Sequence, residues 1–239
     1  MAEMNLMVAQ VEESIPARVV RVVRQAILDG VLAPGRRLTE RELCELTGVS
    51  RTSIREAILH LQNLGLVEPS DSRGIRVVVL GRDDVQHIYE LREALEALAA
   101  ELFVRHATDD EAEELQRYVP PADAASEQRM ELIFKFDELL IAGSHNPLLR
   151  DALETLHTRV HALRRLSTSV EGRQEASSRE FLEIAEAIRA RDPERASSAV
   201  HQHVRAAAEA ALIAVDRLDD SAAGAEEKRR LQVRPVTSA

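Results

Sequence analysis

"GVSRTSIREAILHLQNLGLV", residues 48–67, decides how this chain is read. Behind the glycine, Ser50 fits an N-cap, whose side-chain oxygen satisfies a free amide at a helix start. From Arg51 onward, at about 100° per residue, Ile54, Ala57, Ile58, Leu61 and Leu64 share one side of a helix. Arg51, Thr52, Arg55 and Asn63 take the other side, and Gly65 ends the helix. Two arginines about 40° apart therefore project from the first turns of an exposed helix face.

The flanking sequence gives that helix a setting. "IPARVVRVVRQAILDG" repeats Val19, Val20, Val23, Ile27 and Leu28 at helical spacing, and "LAPGRRL" reads as a turn at Pro34-Gly35. In "LTERELCELTG", Thr39 and Glu42 form a capping box, Leu43 and Leu46 an expected apolar face, and Gly48 the stop. After Gly65, "LVEP" and "IRVVVL" read as two short strands joined by the polar turn "SDSRG". Three helices and a two-stranded ribbon in this order make a winged helix-turn-helix, which sends the start of its second motif helix into a DNA groove. There a guanidinium can grip a phosphate or read guanine O6/N7, and the hydroxyls and free amides of Thr52 and Ser53 sit at the positive helix end.

From Asp83 the sequence changes to helix after helix with short connections, an antiparallel all-α bundle. The expected organisation is a flexible N-terminus at 1–14, the DNA-binding domain at 15–80, the helical domain at 82–217, and a flexible tail at 218–239. The fold class is mainly α.

Composition excludes several classes. No apolar run approaches the roughly 18 residues that span a bilayer, the start lacks the pattern of a signal peptide, and Cys44 is the single cysteine, so a disulfide framework is absent and a reducing cytoplasm is the expected setting. No nucleotide loop, catalytic triad or zinc-protease motif occurs. The formal charge of −10 is uneven: residues 1–80 hold 10 Arg and 10 Asp/Glu, residues 81–239 hold 21 Lys/Arg and 31 Asp/Glu. DNA binding must therefore come from local placement of arginine rather than from bulk charge.

Residues 15–80 resemble the winged helix-turn-helix of GntR-family bacterial regulators. "APGRRLTERELCELTGVSRTSIREAILHLQNLGLVEPSDSRGIRVVV" follows that pattern through the Pro-Gly turn, the Glu-Arg-Glu, the Gly-Val-Ser-Arg-Thr turn, the Arg-Glu-Ala and the Arg-Gly wing tip; Ser53 stands where proline is commonest. The resemblance implies operator contacts from Arg41, Arg51, Thr52 and Arg55; Ser53 is a candidate contact through its place at the positive helix end. It implies a close approach of Gly74 to the minor groove and a phosphate contact from Arg73. It also implies a homodimer on a short palindrome of double-stranded DNA, acting as a repressor.

The helical half is similar to the FadR-type effector domain of the FCD group, through "YELREALEALAAELFVRHAT", "FDELLIAGSHNPLL" and "AEAIRARDPERASSAVHQHV". Such domains hold a small carboxylate effector, often on a divalent metal. The metal-ligand positions fall here on Ile133, Asp137, Phe181 and His203, so only two of four are ligand-capable. The expectation is no metal cofactor, with Asp137 and His203 making ordinary bundle-core pairs; a retained site would use those two and a third group. Ile133, Phe134, Phe136 and Phe181 would favour an effector with an apolar body and an acid or polar head, an organic acid or acyl compound. Arg92, Arg159 and Arg164 are candidates for that head. His157 and His161, four apart, lie beside the Leu149, Leu153, Leu156, Val160, Leu163 stripe and are expected in solvent. Two rival readings remain open at this stage: a metal-dependent enzyme with a regulatory head, and a non-specific architectural DNA binder.

Overall fold

The structure is a computed structural model that describes residues 13–70 and 74–232. It divides into two compact units, Met1–Val79 and Leu80–Ala239.

In the first unit, α1 (Ile15–Leu28) is capped by the Ser14 side chain, which accepts from the Ala17 amide, and buries Val19, Val23 and Ile27. A short strand β1 (Arg37–Leu38) leads into α2 (Glu40–Thr47), where Thr39 accepts from the Glu42 amide at the expected cap. Gly48 closes α2 in the left-handed region, with φ 69°, a conformation that side chains with a Cβ resist. α3 (Arg51–Asn63) follows, capped by Ser50, with Ile54, Ala57, Ile58 and Leu61 buried as the periodicity requires. β2 (Val67–Pro69) and β3 (Ile75–Val77) complete the unit.

Two local expectations are corrected. The ribbon has three strands, not two, in the order β1-β3-β2, with Leu38 opposite Ile75 and Val67 opposite Val77. A two-residue strand is too short to show period-2 alternation, so the Arg37-Leu38 pairing was hidden behind the Pro-Gly turn. Leu46, placed on the apolar face of α2, is 63% exposed; Leu43 alone is buried from that helix. An eight-residue helix packed mainly on α3 covers a narrower arc than two leucines 60° apart suggest.

The second unit comprises α4 (Arg82–His106), α5 (Asp109–Gln116), α6 (Ser126–Gly143), α7 (Pro147–Thr168), α8 (Arg173–Arg189) and α9 (Pro193–Gln232). The starts obey local chemistry: Thr108 and Glu111 form a reciprocal capping box on α5, and Asn146 caps α7 ahead of Pro147. Helix α9 packs against α4, α8 and α7, so the buried faces of four helices meet there. At the α8–α9 turn Arg191 adopts φ 56°, unusual for a residue with a Cβ. Its guanidinium caps the last carbonyls of α4, donating to Ala107 O at 2.7 Å, which holds the turn in place.

Helix α9 runs on to Gln232, into the segment expected as a tail. "LDDSAAGAEEKRRLQ" contains no proline and is rich in Ala, Glu, Arg and Leu, residues compatible with a continued helical backbone. Among the described residues no helix is long and apolar enough to cross a membrane.

Candidate nucleic-acid interface and effector site

The DNA-facing candidates sit where α2 and α3 meet. Ser50 Oγ accepts from the Ser53 amide at 3.4 Å and lies 3.2 Å from Ser53 Oγ. This leaves the Arg51 and Thr52 amides as unbonded donors of the first turn, at the positive end of the helix dipole. Arg51 and Thr52 are exposed, Ser53 is half-buried, and Arg51 has no ion-pair partner among the described residues. Arg55 is also exposed, but Glu40 at the start of α2 holds its Nε at 2.9 and 3.1 Å. Hydrogen bonding to Arg55 keeps the Glu40 carboxyl below its usual pKa, and the Arg55 guanidinium correspondingly above its own. Arg41 is exposed on α2 and paired with Glu45 at 2.8 Å.

The wing supplies a structural reason for one candidate. Gly74 has φ 132°, and a Cβ built there would stand 2.5 Å from Leu38 O. The glycine is thus demanded by the β1–β3 approach within the unit itself. Arg73, the expected phosphate contact, lies outside the described residues.

In the helical unit, side chains from five helices converge on a buried polar cluster. On α4, Arg92 is wholly covered and donates through Nε to Glu96 Oε1 at 2.8 Å, one turn away. His157 of α7 reaches the same oxygen with Nε2 at 2.8 Å. A carboxylate only accepts, so this Nε2 carries the proton. Asp137 of α6 accepts from Arg164 of α7 at 2.5 Å. His203 of α9 places Nδ1 2.7 Å from Glu180 Oε2, and Glu180 also accepts from Arg173 at 2.8 Å. The same acceptor logic puts the His203 proton on Nδ1 and leaves Nε2 bare, 3.5 Å from Arg92 Nη2.

The electrostatics follow from burial and pairing. Burial alone would push the Glu96 carboxyl up, but Arg92 and the His157 hydrogen bond outweigh it and hold it well below the carboxylate range. His203 is moved the other way from a surface histidine: burial, helped by Arg92, depresses its pKa despite Glu180. Arg129 of α6 is buried without a carboxylate, donating to Ser178 Oγ at 2.6 and 3.0 Å and to Gln174 O at 2.5 Å. Burial and the neighbouring Arg173 lower its pKa.

The expected effector residues are partly brought together. Ile133, Asp137, Phe181 and His203 are all buried, and the Phe181 ring lies 4.9 Å from Phe136 and 4.6 Å from His203. Phe134 instead is 39% exposed, its ring stacked 3.5 Å from His161. Arg92 and Arg164 are buried and Arg159 is half-buried. The expectation of solvent-exposed His157 and His161 is corrected: they are 8% and 4% exposed. Helix α7 contacts α4, α6, α8 and α9, so its covered arc extends beyond the leucine stripe. Asp137 and His203 do not share a bond; each has its own partner, Arg164 and Glu180. The cluster able to gather around an ion is Glu96, Asp137 and His157, whose ligand atoms lie within 4.8 Å of one another, and it leaves His203 out. Glu96, Glu180, Arg129 and Arg173 were missed in the sequence; the Arg92–Glu96 spacing of four on a helix was the available signal.

Comparison with known proteins matches this architecture in both units. The model of bacterial regulatory proteins of the gntR family covers residues 16–77, and the FCD domain model covers residues 87–206. The chain is 33% identical over 187 residues to the HTH-type transcriptional regulator YdhC of Bacillus subtilis, spanning 76% of this chain and 84% of the relative. It is 27% identical over 193 residues to the HTH-type transcriptional repressor RspR of Escherichia coli, spanning 79% and 85%. The Escherichia coli McbR/YncC structure shares the fold with a TM-score of 0.69 at 22% identity, over 80% of this chain and 94% of that one. A gntR-type winged head, with the side of α3 that carries Arg51, Thr52 and Arg55 exposed, is joined to an FCD bundle with a buried polar centre: the chain belongs to the GntR family of transcriptional regulators that carry an FCD effector-binding domain.

Proposed function

We propose that this regulator is a homodimeric repressor whose two α3 helices dock in successive major-groove faces of a short palindrome. The observation that carries this is the Ser50-capped start of α3, where Arg51, Thr52 and Arg55 are exposed together. Arg51 reads a base edge or grips a phosphate, the Thr52 region offers amides to a phosphate, and Arg41 and Arg55 exchange their exposed glutamates for the DNA backbone. Two-fold operator symmetry then mirrors protein symmetry. On α4 the exposed Leu91 and Leu98, one side of the helix at spacing seven, support a second copy as partner.

An effector bound at the polar centre of the bundle changes how the two heads are presented, and by linkage operator DNA changes effector affinity by the same factor. Repression is favoured by the resemblance to RspR. The residues support a binding protein over an enzyme: the buried acids are held in ion pairs with arginines, which leaves none poised as a proton donor or acceptor. The test is fluorescence anisotropy on a duplex from the chain's own upstream region. Arg51→Ala is expected to weaken specific binding by about 1–3 kcal/mol, about 5- to 150-fold, with the folded state intact. Unchanged affinity would remove Arg51 from the interface.

A further inference from the structure

The helical unit buries more positive than negative side chains. Among the described residues Arg92, Arg129, Arg164 and Arg173 are covered, facing only Glu96, Asp137 and the partly covered Glu180. Three arginines are matched one to one, at 2.8 Å, 2.5 Å and 2.8 Å, and Arg129 has only neutral acceptors. His203 adds no charge, since its single proton is fixed on Nδ1 by Glu180. A protein interior disfavours an unmatched charge, so this one accepts an anion more readily than a cation.

The cluster also has donors to spare. Arg92 is 0% and Arg164 4% exposed, and in each the Nη1 group has no hydrogen-bond acceptor among the described residues. Buried polar groups are paired in the great majority of cases, and two orphaned guanidinium nitrogens in one cluster point to an acceptor supplied from outside the chain. Beside them lie Phe181, against His203 at 4.6 Å, and Phe136, against Phe181 at 4.9 Å, with Ile133 one turn from Asp137. A polar head on the arginines therefore has an apolar wall next to it.

A divalent metal, the usual partner of such domains, does not fit these residues. Ile133 and Phe181 offer no ligand atom, and the bare Nε2 of His203 faces Arg92. Glu96, Asp137 and His157 come within 4.8 Å, yet His157 Nε2 already donates to Glu96 and both carboxylates are already neutralised by guanidiniums. An ion placed there would be set against two fixed positive charges.

We propose, resting on the effector reading above, that this regulator binds a monocarboxylate effector without a metal, Arg92 and Arg164 standing in for the cation through their free Nη1 donors. The body of the acid lies against Phe136, Phe181 and Ile133. Arginine suits this position because its planar fork can keep one bond to Glu96 or Asp137 while offering another to the ligand.

The experiment uses the full chain treated with EDTA, and acetate, hexanoate and benzoate as probes, with benzamide as the uncharged control and zinc chloride alone as the metal arm. Thermal shift and calorimetry are expected to show stabilisation by at least one carboxylate in EDTA, none by benzamide, and no stoichiometric zinc uptake. Arg164→Lys retains the charge beside Asp137 but loses the fork, and is expected to weaken carboxylate binding about tenfold or more while keeping the unliganded melting temperature close to wild type. Arg92→Lys is the second variant should the first fail to fold, with the same expectation. Carboxylate binding that requires zinc, stoichiometric zinc uptake, full affinity in a folded lysine variant, or no response to any of the three acids would each overturn the proposal. Operator binding measured on the same preparation separates the readings: if it persists while the acids fail, the regulator stands and the anion site falls.

Discussion

At the scale of single residues, two positions show how differently a glycine and an arginine earn their place. Gly74 is fixed by contact, since a Cβ would meet the Leu38 carbonyl at 2.5 Å while φ sits at 132°. Gly74→Ala is therefore expected to destabilise the winged unit by about 1–3 kcal/mol, read as a lower denaturation midpoint, with loss of operator binding as a consequence of wing displacement. Arg51 is exposed at the start of α3, and its substitution should leave that midpoint unchanged. Both residues are visible in the sequence, but the structural reason for Gly74 is not. The reason Gly74 must be glycine is the pairing of β1 with β3, and a two-residue strand leaves no pattern to read. The arginines of the bundle divide in the same way. Arg92 and Glu96 are four apart on one helix and visible as a pair, whereas Arg129 against Ser178 joins helices 49 residues apart.

At the scale of elements, caps and periodicity gave the helices, and long-range packing decided which of their faces are covered. Thr39 and Ser50 cap the helices that their sequence positions announce. Leu46, His157 and His161 went the other way because burial depends on which neighbours arrive, and spacing along one helix does not carry that. The α2–α3 pair adds a testable feature. Glu40 holds Arg55 in the free protein through exposed hydrogen bonds and sits on the side that faces DNA in the proposed complex. A phosphate must displace it, and its own charge repels the duplex. Glu40→Gln is therefore expected to raise affinity for specific and non-specific duplexes alike by a few-fold, and titration across a salt series should show the increase at every ionic strength. A loss of affinity would mean that Glu40 orients Arg55 rather than competing for it.

At the scale of the whole molecule, charge is sorted by unit and by depth. The winged half is neutral over residues 1–80, the helical half carries the full −10, and yet the core of that helical half is rich in arginine. The acidic excess therefore belongs to the helical unit and not to the unit that carries Arg51, Thr52 and Arg55. A pH response is also expected. Burial first, then Arg92, depress the His203 pKa, while Glu180 opposes them and Arg173 adds to the depression. The unfolded chain, with histidine near 6.5, then binds a proton that the folded one refuses. Stability from this group is complete above that value and is lost as pH falls below it. The melting temperature should decline as pH falls from 7.5 to about 5.5, and His203→Asn should flatten the slope; an equal slope in the variant would show that another group titrates.

The most direct test of the account is sequence preference itself. The full chain, at physiological salt, should protect a single two-fold symmetric site in its own upstream region and bind it about a thousandfold or more tighter than a scrambled duplex of equal length. Equal affinity for the two duplexes, or uniform coating of the fragment, would contradict it.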